Sequence, residues 1–311
     1  MSFPRTWARL PGPADFLDAI VKDLTDRNSV LVGLPDEAPV TVVALEIADG
    51  IKRSELGRWE TVPSNEAYKT APLEYITRRF DGRDAEGFVL WIDVMNEDAA
   101  AAKWAEYARR YTCLEKPPRI CIAMSAACAE SCREDKRLRR RLWRDFVTAS
   151  DARVLVERLG RRFGRSPEHI ALKSALIAEL AGPDLAFAER LAREPLGRIL
   201  SEKDHPPERI WAAQLSVVFP LVERERRRLL DVHRSLWRIP HLRENGEEIQ
   251  SREDLEIGDL AAQAWQGRAL EIERRRLDWL RRVRNALAHN EIVPWSTLVS
   301  PVALQITDFR E

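Results

Sequence analysis

Three short runs in the first 130 residues are apolar at nearly every position: Ser29-Val-Leu-Val-Gly-Leu34, Gly87-Phe-Val-Leu-Trp-Ile-Asp93 and Arg119-Ile-Cys-Ile-Ala-Met-Ser125. A strand buried on both faces reads this way, as in a parallel sheet covered by helices. Helical periodicity falls between them. Residues 14–24 place Phe16, Leu17, Ile20, Val21 and Leu24 on one side, and residues 99–111 also read as a helix. Residues 40–47 form an apolar segment that fits helix or strand. This alternation predicts an α/β domain with a parallel sheet.

Beyond about residue 130 the pattern turns helical, over 133–146, 151–163, 166–180, 185–193 and 208–236. Ser166 suits a cap and Pro167 a first helical position. The polar stretch 238–253 reads as a loop, and helices over 253–264 and 267–289 follow, stopped by Pro294. The expected organisation is an α/β domain over 1–130, a helical connector over 131–204 and an all-α bundle over 205–311.

The chain has 311 residues, 45% hydrophobic, enough for about two cores. No run of about 18 uncharged apolar residues exists, so no membrane span is expected. The N-terminus lacks the apolar core of a signal peptide, which points to the cytoplasm. Fifty basic and fifty acidic residues cancel to zero, but the sum hides an asymmetry. Residues 1–131 carry 16 basic and 21 acidic side chains, and residues 133–165 carry 12 against 5. That basic stretch fits a solvated helix face, a surface for phosphates, or a partner for the acidic N-terminal part of the same chain. Arginine outnumbers lysine 42 to 8, which reads as coding bias. The spacing of Cys113, Cys121, Cys128 and Cys132 matches no metal knuckle, so reduced thiols and no metal site are expected.

After the first strand comes Gly33-Leu-Pro-Asp-Glu-Ala-Pro-Val40. Laid over the phosphate-loop pattern G-x-x-x-x-G-K-S/T, only Gly33 matches. Ala38 replaces the second glycine, Pro39 the lysine that meets the phosphates, and Val40 the hydroxyl that holds magnesium. Pro39 has no N–H to donate, and Asp36 and Glu37 put negative charge where phosphates belong. Asp93 ends its strand where a Walker B acid would stand. The region resembles a P-loop NTPase core, of the inactive, STAND-like signal-transducing kind. That resemblance implies docking or sensing through a protein partner, with no nucleotide cofactor and no ATP hydrolysis. An unrelated α/β sheet is the other reading.

The most specific signal is Arg284-Asn-Ala-Leu-Ala-His289. Leu277, Leu280, Val283 and Leu287 form an apolar stripe on a helix. Asn285 and His289, four apart, share a polar face one turn from each other. Arg284 and His289 stand about 140° apart, so one helix does not aim both at one phosphate. The hexapeptide resembles the R-x(4–6)-H motif of the HEPN superfamily, with Asn285 in the polar place after the arginine; the resemblance covers about residues 205–300. It implies a metal-independent endoribonuclease, active as a homodimer that unites two copies of the helix around RNA, in a toxin or anti-phage setting. His289 would be base or acid, since an unperturbed imidazole titrates near pH 6.5. Arg284 would clamp the phosphate and Asn285 would orient the groups.

The same residues also allow a structural role: His289 at the helix C-terminus, Asn285 bonded across the bundle, Arg284 paired with Glu223 or Glu225. A non-catalytic adaptor that assembles a larger complex is therefore the alternative. His205, before Pro206 and Pro207, reads as a loop residue. His233 and His241 are too far apart in sequence to suggest a metal pair.

Overall fold

The computed structural model describes residues 7–36, 38–81, 84–110, 116–162, 167–195, 206–266 and 271–300. Glu37, Cys113, Ser166, His205 and residues 163–165 of the basic stretch lie outside them. The chain divides into two compact units. The first comprises residues 1–155 with 183–187, the second residues 156–182 with 188–311.

The first unit is a five-stranded, wholly parallel sheet. Its strands are β1 (Ser29–Leu34), β2 (Arg58–Thr61), β3 (Phe88–Asp93), β4 (Arg119–Ser125) and β5 (Leu138–Leu142), in the order β2-β3-β4-β1-β5. The helices are α1 (Pro11–Thr25), α2 (Val40–Arg53), α3 (Ser64–Lys69), α4 (Pro72–Phe80), α5 (Asp98–Arg110) and α6 (Ala126–Ser131). Successive side chains of a strand point to opposite faces. Leu31, Leu90, Ile92, Ile120, Ile122 and Met124 join one core with Tyr75, Trp104 and Ala129 from α4, α5 and α6. The alternate residues, such as Val30, Val32 and Ala123, are fully buried on the other face, where α1 packs on β1, β5 and α2. A strand, a loop and a helix in sequence (β1, residues 35–39, α2) give the unit a P-loop-like frame.

Two strands depart from expectation. β2 is a half-exposed edge strand, Arg58-Trp-Glu-Thr61, with too little apolar pattern to be read from sequence. β5, Leu138-Arg-Arg-Arg-Leu142, corrects the helix expected over 133–146. Leu138 and Leu142 join the α6-side core. Arg140 shares their face and donates to the carbonyls of Glu130 (2.9 Å) and Cys132 (3.4 Å) at the end of α6. Arg141 turns to the other face and grips Asp23 of α1 through two bonds of 2.7 and 3.0 Å. Paired, charged side chains suit an edge strand, because they block pairing with another chain. With Arg144 on Glu130 at 2.8 Å, part of the basic stretch is neutralised within its own unit.

Helix α7 (Ala149–Arg162) spans the division between the units, as does α9 (Leu185–Arg193). The second unit is helical, with α8 (Pro167–Ala181), α10 (Pro207–Val232), α11 (Ile257–Gln266), α12 (Glu271–Ala288) and α13 (Trp295–Leu298). The stretch read as a loop holds a small hairpin, β6 (His241–Leu242) and β7 (Glu248–Ile249). The stripe Leu277, Leu280, Val283 and Leu287 is buried against Val218, Val222 and Leu229 of α10 and Leu260 of α11. No helix among the described residues is long and apolar enough to cross a membrane.

Candidate functional site

At the carboxyl end of the sheet, the positions that resemble nucleotide-binding groups are all engaged locally. Gly33 lies inside β1, not in the loop. A Cβ there would stand 2.5 Å from Leu142 Cδ2 and 2.9 Å from Ala129 Cβ, so the glycine allows α6 and β5 to close on β1. In the loop, Ala38 N–H donates to Pro35 O (2.9 Å) and Val40 N–H to Ala38 O (2.8 Å). A phosphate cradle needs such N–H groups unspent, and Pro39 between them has none. Asp93 accepts the Met95 N–H at 3.3 Å. Ser125, ending β4, caps α6 by accepting the Cys128 N–H at 3.2 Å. Burial, then Asp93 and Glu97, raise the Tyr68 hydroxyl above its ordinary pKa, a sign of negative potential around this end.

Two of the thiols are quiet. Burial lifts Cys121 far above the usual thiol range. Cys128 is pushed up to about 11, by burial first and then by Cys132 and Asp98. Neither is a nucleophile at neutral pH. Among the described residues no three His, Cys, Asp or Glu side chains gather to hold a metal.

In the helical unit, the hexapeptide forms the last turns of α12. His289 follows the helix, and Asn290 adopts a left-handed conformation with φ 61°. Glu291 N–H returns to Ala286 O (2.8 Å) and Asn290 N–H to Leu287 O (3.3 Å), which closes the helix as a Schellman motif. Two residues of α10 hold this end from the side. Trp211 Nε1 donates to Leu287 O at 2.8 Å. Gln214, fully buried, donates to Val293 O and accepts from Val293 N–H, both at 2.8 Å. Tryptophan is legible as core, but nothing in sequence marks Trp211 and Gln214 as the clamp on this turn.

Asn285 and His289 are exposed, one turn apart as the spacing implies. Arg284 points elsewhere, with Nη2 on Glu256 Oε2 at 3.0 Å. The partners suggested by sequence are taken: Glu223 by Arg226 and Arg227, Glu225 by Arg228 and, at 3.6 Å, Arg276. Arg284 borders a cleft of about 210 Å³ that Glu223, Glu253, Asp254 and Glu256 make acidic against Arg226 and Arg284. The chain thus brings Asn285 and His289 to one surface and places Arg284 on another. Two further histidines, near the hairpin, meet separate carboxylates, His233 with Glu273 (3.3 Å) and His241 with Asp259 (3.4 Å).

No protein-family model matches the chain, and no curated protein does. Among solved structures, a RuvB mutant from Thermotoga maritima aligns over 91% of this chain and 84% of its own at 13% identity, with a TM-score of 0.37. Another mutant of that protein covers 74% and 80% at 13% identity and TM-score 0.38. The structure described as the Thermotoga maritima RuvB Holliday junction branch migration motor covers 71% and 74%, again at 13% identity, with a TM-score of 0.34. These are distant likenesses, and nothing about ligand or activity follows from them.

Proposed function

We propose that the helical unit is a HEPN-type module that cleaves RNA without a metal when two copies pair, and that the P-loop-like α/β unit docks or senses and restrains it. One observation carries this reading. Asn285 and His289 stand in solvent on a helix end that Trp211 and Gln214, not the motif itself, hold rigid. Rigid support for exposed reactive groups is what a catalytic constellation needs.

In the reaction, an imidazole from one copy takes the proton of a ribose 2′-hydroxyl. The freed oxygen attacks the adjacent phosphorus, the bond from phosphorus to the 5′-oxygen breaks, and the partner's imidazole returns a proton to that leaving oxygen. The products are a 2′,3′-cyclic phosphate and a 5′-hydroxyl. Arg284 stabilises charge on the phosphate oxygens, and Asn285 orients the phosphate. Twofold pairing brings each Arg284 to the other copy's His289, which answers the divergence of the two on one helix. The Arg284–Glu256 pair is no obstacle: both side chains are more than a third exposed, and such pairs contribute only about 0–1 kcal/mol.

A second reading has its own support. The acidic lining of the cleft beside Arg284 repels RNA, as fits an adaptor whose motif serves assembly. The two separate on incubating the protein with single-stranded RNA in EDTA. The ribonuclease yields cyclic-phosphate ends, and His289→Ala lowers the rate by about 100-fold or more. No cleavage by the wild type, with a strict monomer in light scattering, leaves the adaptor.

A further inference from the structure

A second polar cluster lies at the opposite, amino-terminal end of the parallel sheet. Arg27 and Ser29 lead into β1, Lys116 and Arg119 into β4, and Arg137 into β5. They surround a cavity of about 290 Å³ that, among the described residues, is lined by four cationic side chains and one carboxylate, Glu86. Glu86 is already committed: Oε1 holds Arg27 at 3.1 Å, and Oε2 lies 3.9 Å from Lys116. Lys116 is also 3.3 Å from Asp84.

The other two cations are different. Arg119 gives one N–H to Leu56 O at 2.9 Å. Neither Arg119 nor Arg137 forms an ion pair with a carboxylate of the described residues. Burial, then the nearby Arg27, push the Arg119 guanidinium below its ordinary pKa, while Glu86 acts in the other direction. A partly desolvated guanidinium beside like charges costs free energy unless an anion completes it. The rest of the wall is apolar or aromatic: Tyr107 and Ala108 of α5, Pro117, Pro118 and Ile120. Two fork-shaped donors beside a flat apolar wall fit a phosphate carrying an organic ring. The volume suits one such unit and not a dinucleotide.

We propose that this cavity binds a small organic phosphate the size of a nucleoside monophosphate, with Arg119 and Arg137 on the phosphate and the Tyr107–Pro118 wall against the organic part. In open parallel sheets ligands usually bind at the carboxyl ends of the strands. Here that end presents Asp36, Asp93 and Glu97, and the loop N–H groups of Ala38 and Val40 are already bonded, while the amino end gathers the arginines. The α/β unit would therefore sense a phosphorylated small molecule through the edge opposite to the degenerate phosphate loop.

The test is calorimetry on the full chain with AMP, UMP and ribose 5-phosphate, beside adenosine as the uncharged control. The expected result is saturable binding of at least one phosphate at micromolar to submillimolar concentration, with adenosine at least about tenfold weaker. Arg137→Gln, at an exposed position, should weaken it about tenfold without changing the melting temperature; Arg119→Gln should do the same if it folds. The proposal is overturned if none of the three phosphates binds at millimolar concentration, if Arg137→Gln binds as well as the wild type, or if a single-stranded RNA competes with tighter affinity. None of these outcomes depends on whether His289 cleaves RNA.

Discussion

The carboxyl end of the sheet and the carboxyl end of α12 treat their polar residues in opposite ways. At the sheet, the residues that resemble nucleotide-binding groups are spent on the fold itself. Asp93 holds its own turn, Ser125 caps α6, and the loop N–H groups at Ala38 and Val40 bond to the loop's own carbonyls. At α12 the fixing is delegated. Trp211 and Gln214 anchor the helix end from α10, and Asn285 and His289 remain in water. On the ribonuclease reading, the motif keeps its chemistry because other residues do the holding.

The largest expected effect tests that division of labour. Gln214→Leu keeps the volume of the side chain but strands the Val293 N–H and carbonyl in the core. Each buried orphan costs about 1–3 kcal/mol, so a loss of about 3 kcal/mol is expected in urea unfolding. Asn285→Ala, at an exposed site, should stay within about 0.5 kcal/mol. If Asn285→Ala is as costly as Gln214→Leu, the motif is structural and the contrast collapses.

The two units should also weaken at opposite ends of the pH scale. In the α/β unit the folded pKa of Cys128 is raised to about 11. Its stabilising contribution is full below the unfolded thiol range near 8.5, and it is lost as pH rises from there towards 11. In the bundle, burial raises Asp259, but Arg243 and the Glu256 N–H outweigh it and the carboxyl titrates below its ordinary value. Its contribution is present above about pH 4 and is lost as pH falls through the lowered pKa. Melting temperatures measured from pH 3 to pH 11 should show both shoulders. Cys128→Ala should remove the alkaline one and Asp259→Asn the acidic one; a variant that leaves its shoulder unchanged sinks that assignment.

The legible parts of the fold share one property. β1 and β4 can be read to the residue, and β3 to within one, because they are buried on both faces and leave no polar pattern to mislead. β2 and β5 escape such a reading because edge strands carry charge. In β5 three arginines cover a strand whose burial rests on Leu138 and Leu142 alone, and their spacing mimics a helix. The stripe on α12 and the exposure of Asn285 and His289 follow from 3.6-residue geometry. The partner of Arg284 does not. Glu256 stands 28 residues away, just before α11, whereas the long facing helix α10 offers Glu223 and Glu225, which pair mainly with arginines of their own helix. The amino-end cavity is invisible in sequence for the same reason: Arg27, Arg119 and Arg137 are distant along the chain, and only the parallel order of β4, β1 and β5 gathers them.

The smallest expected effect on stability is the most informative about function. Glu256→Gln removes the partner of Arg284. Both side chains are more than a third exposed, so the change in unfolding free energy should be under about 0.5 kcal/mol. The same substitution takes one negative charge from a cleft that holds four carboxylates against two guanidiniums, and leaves the Arg284 fork unclaimed. On the ribonuclease reading, RNA cleavage or affinity therefore rises severalfold, most visibly at low salt, where unscreened repulsion is strongest. A drop in stability above about 1 kcal/mol with no gain towards RNA would mean that Glu256 and Arg284 hold the bundle together, and that Arg284 belongs with the spent residues of the sheet.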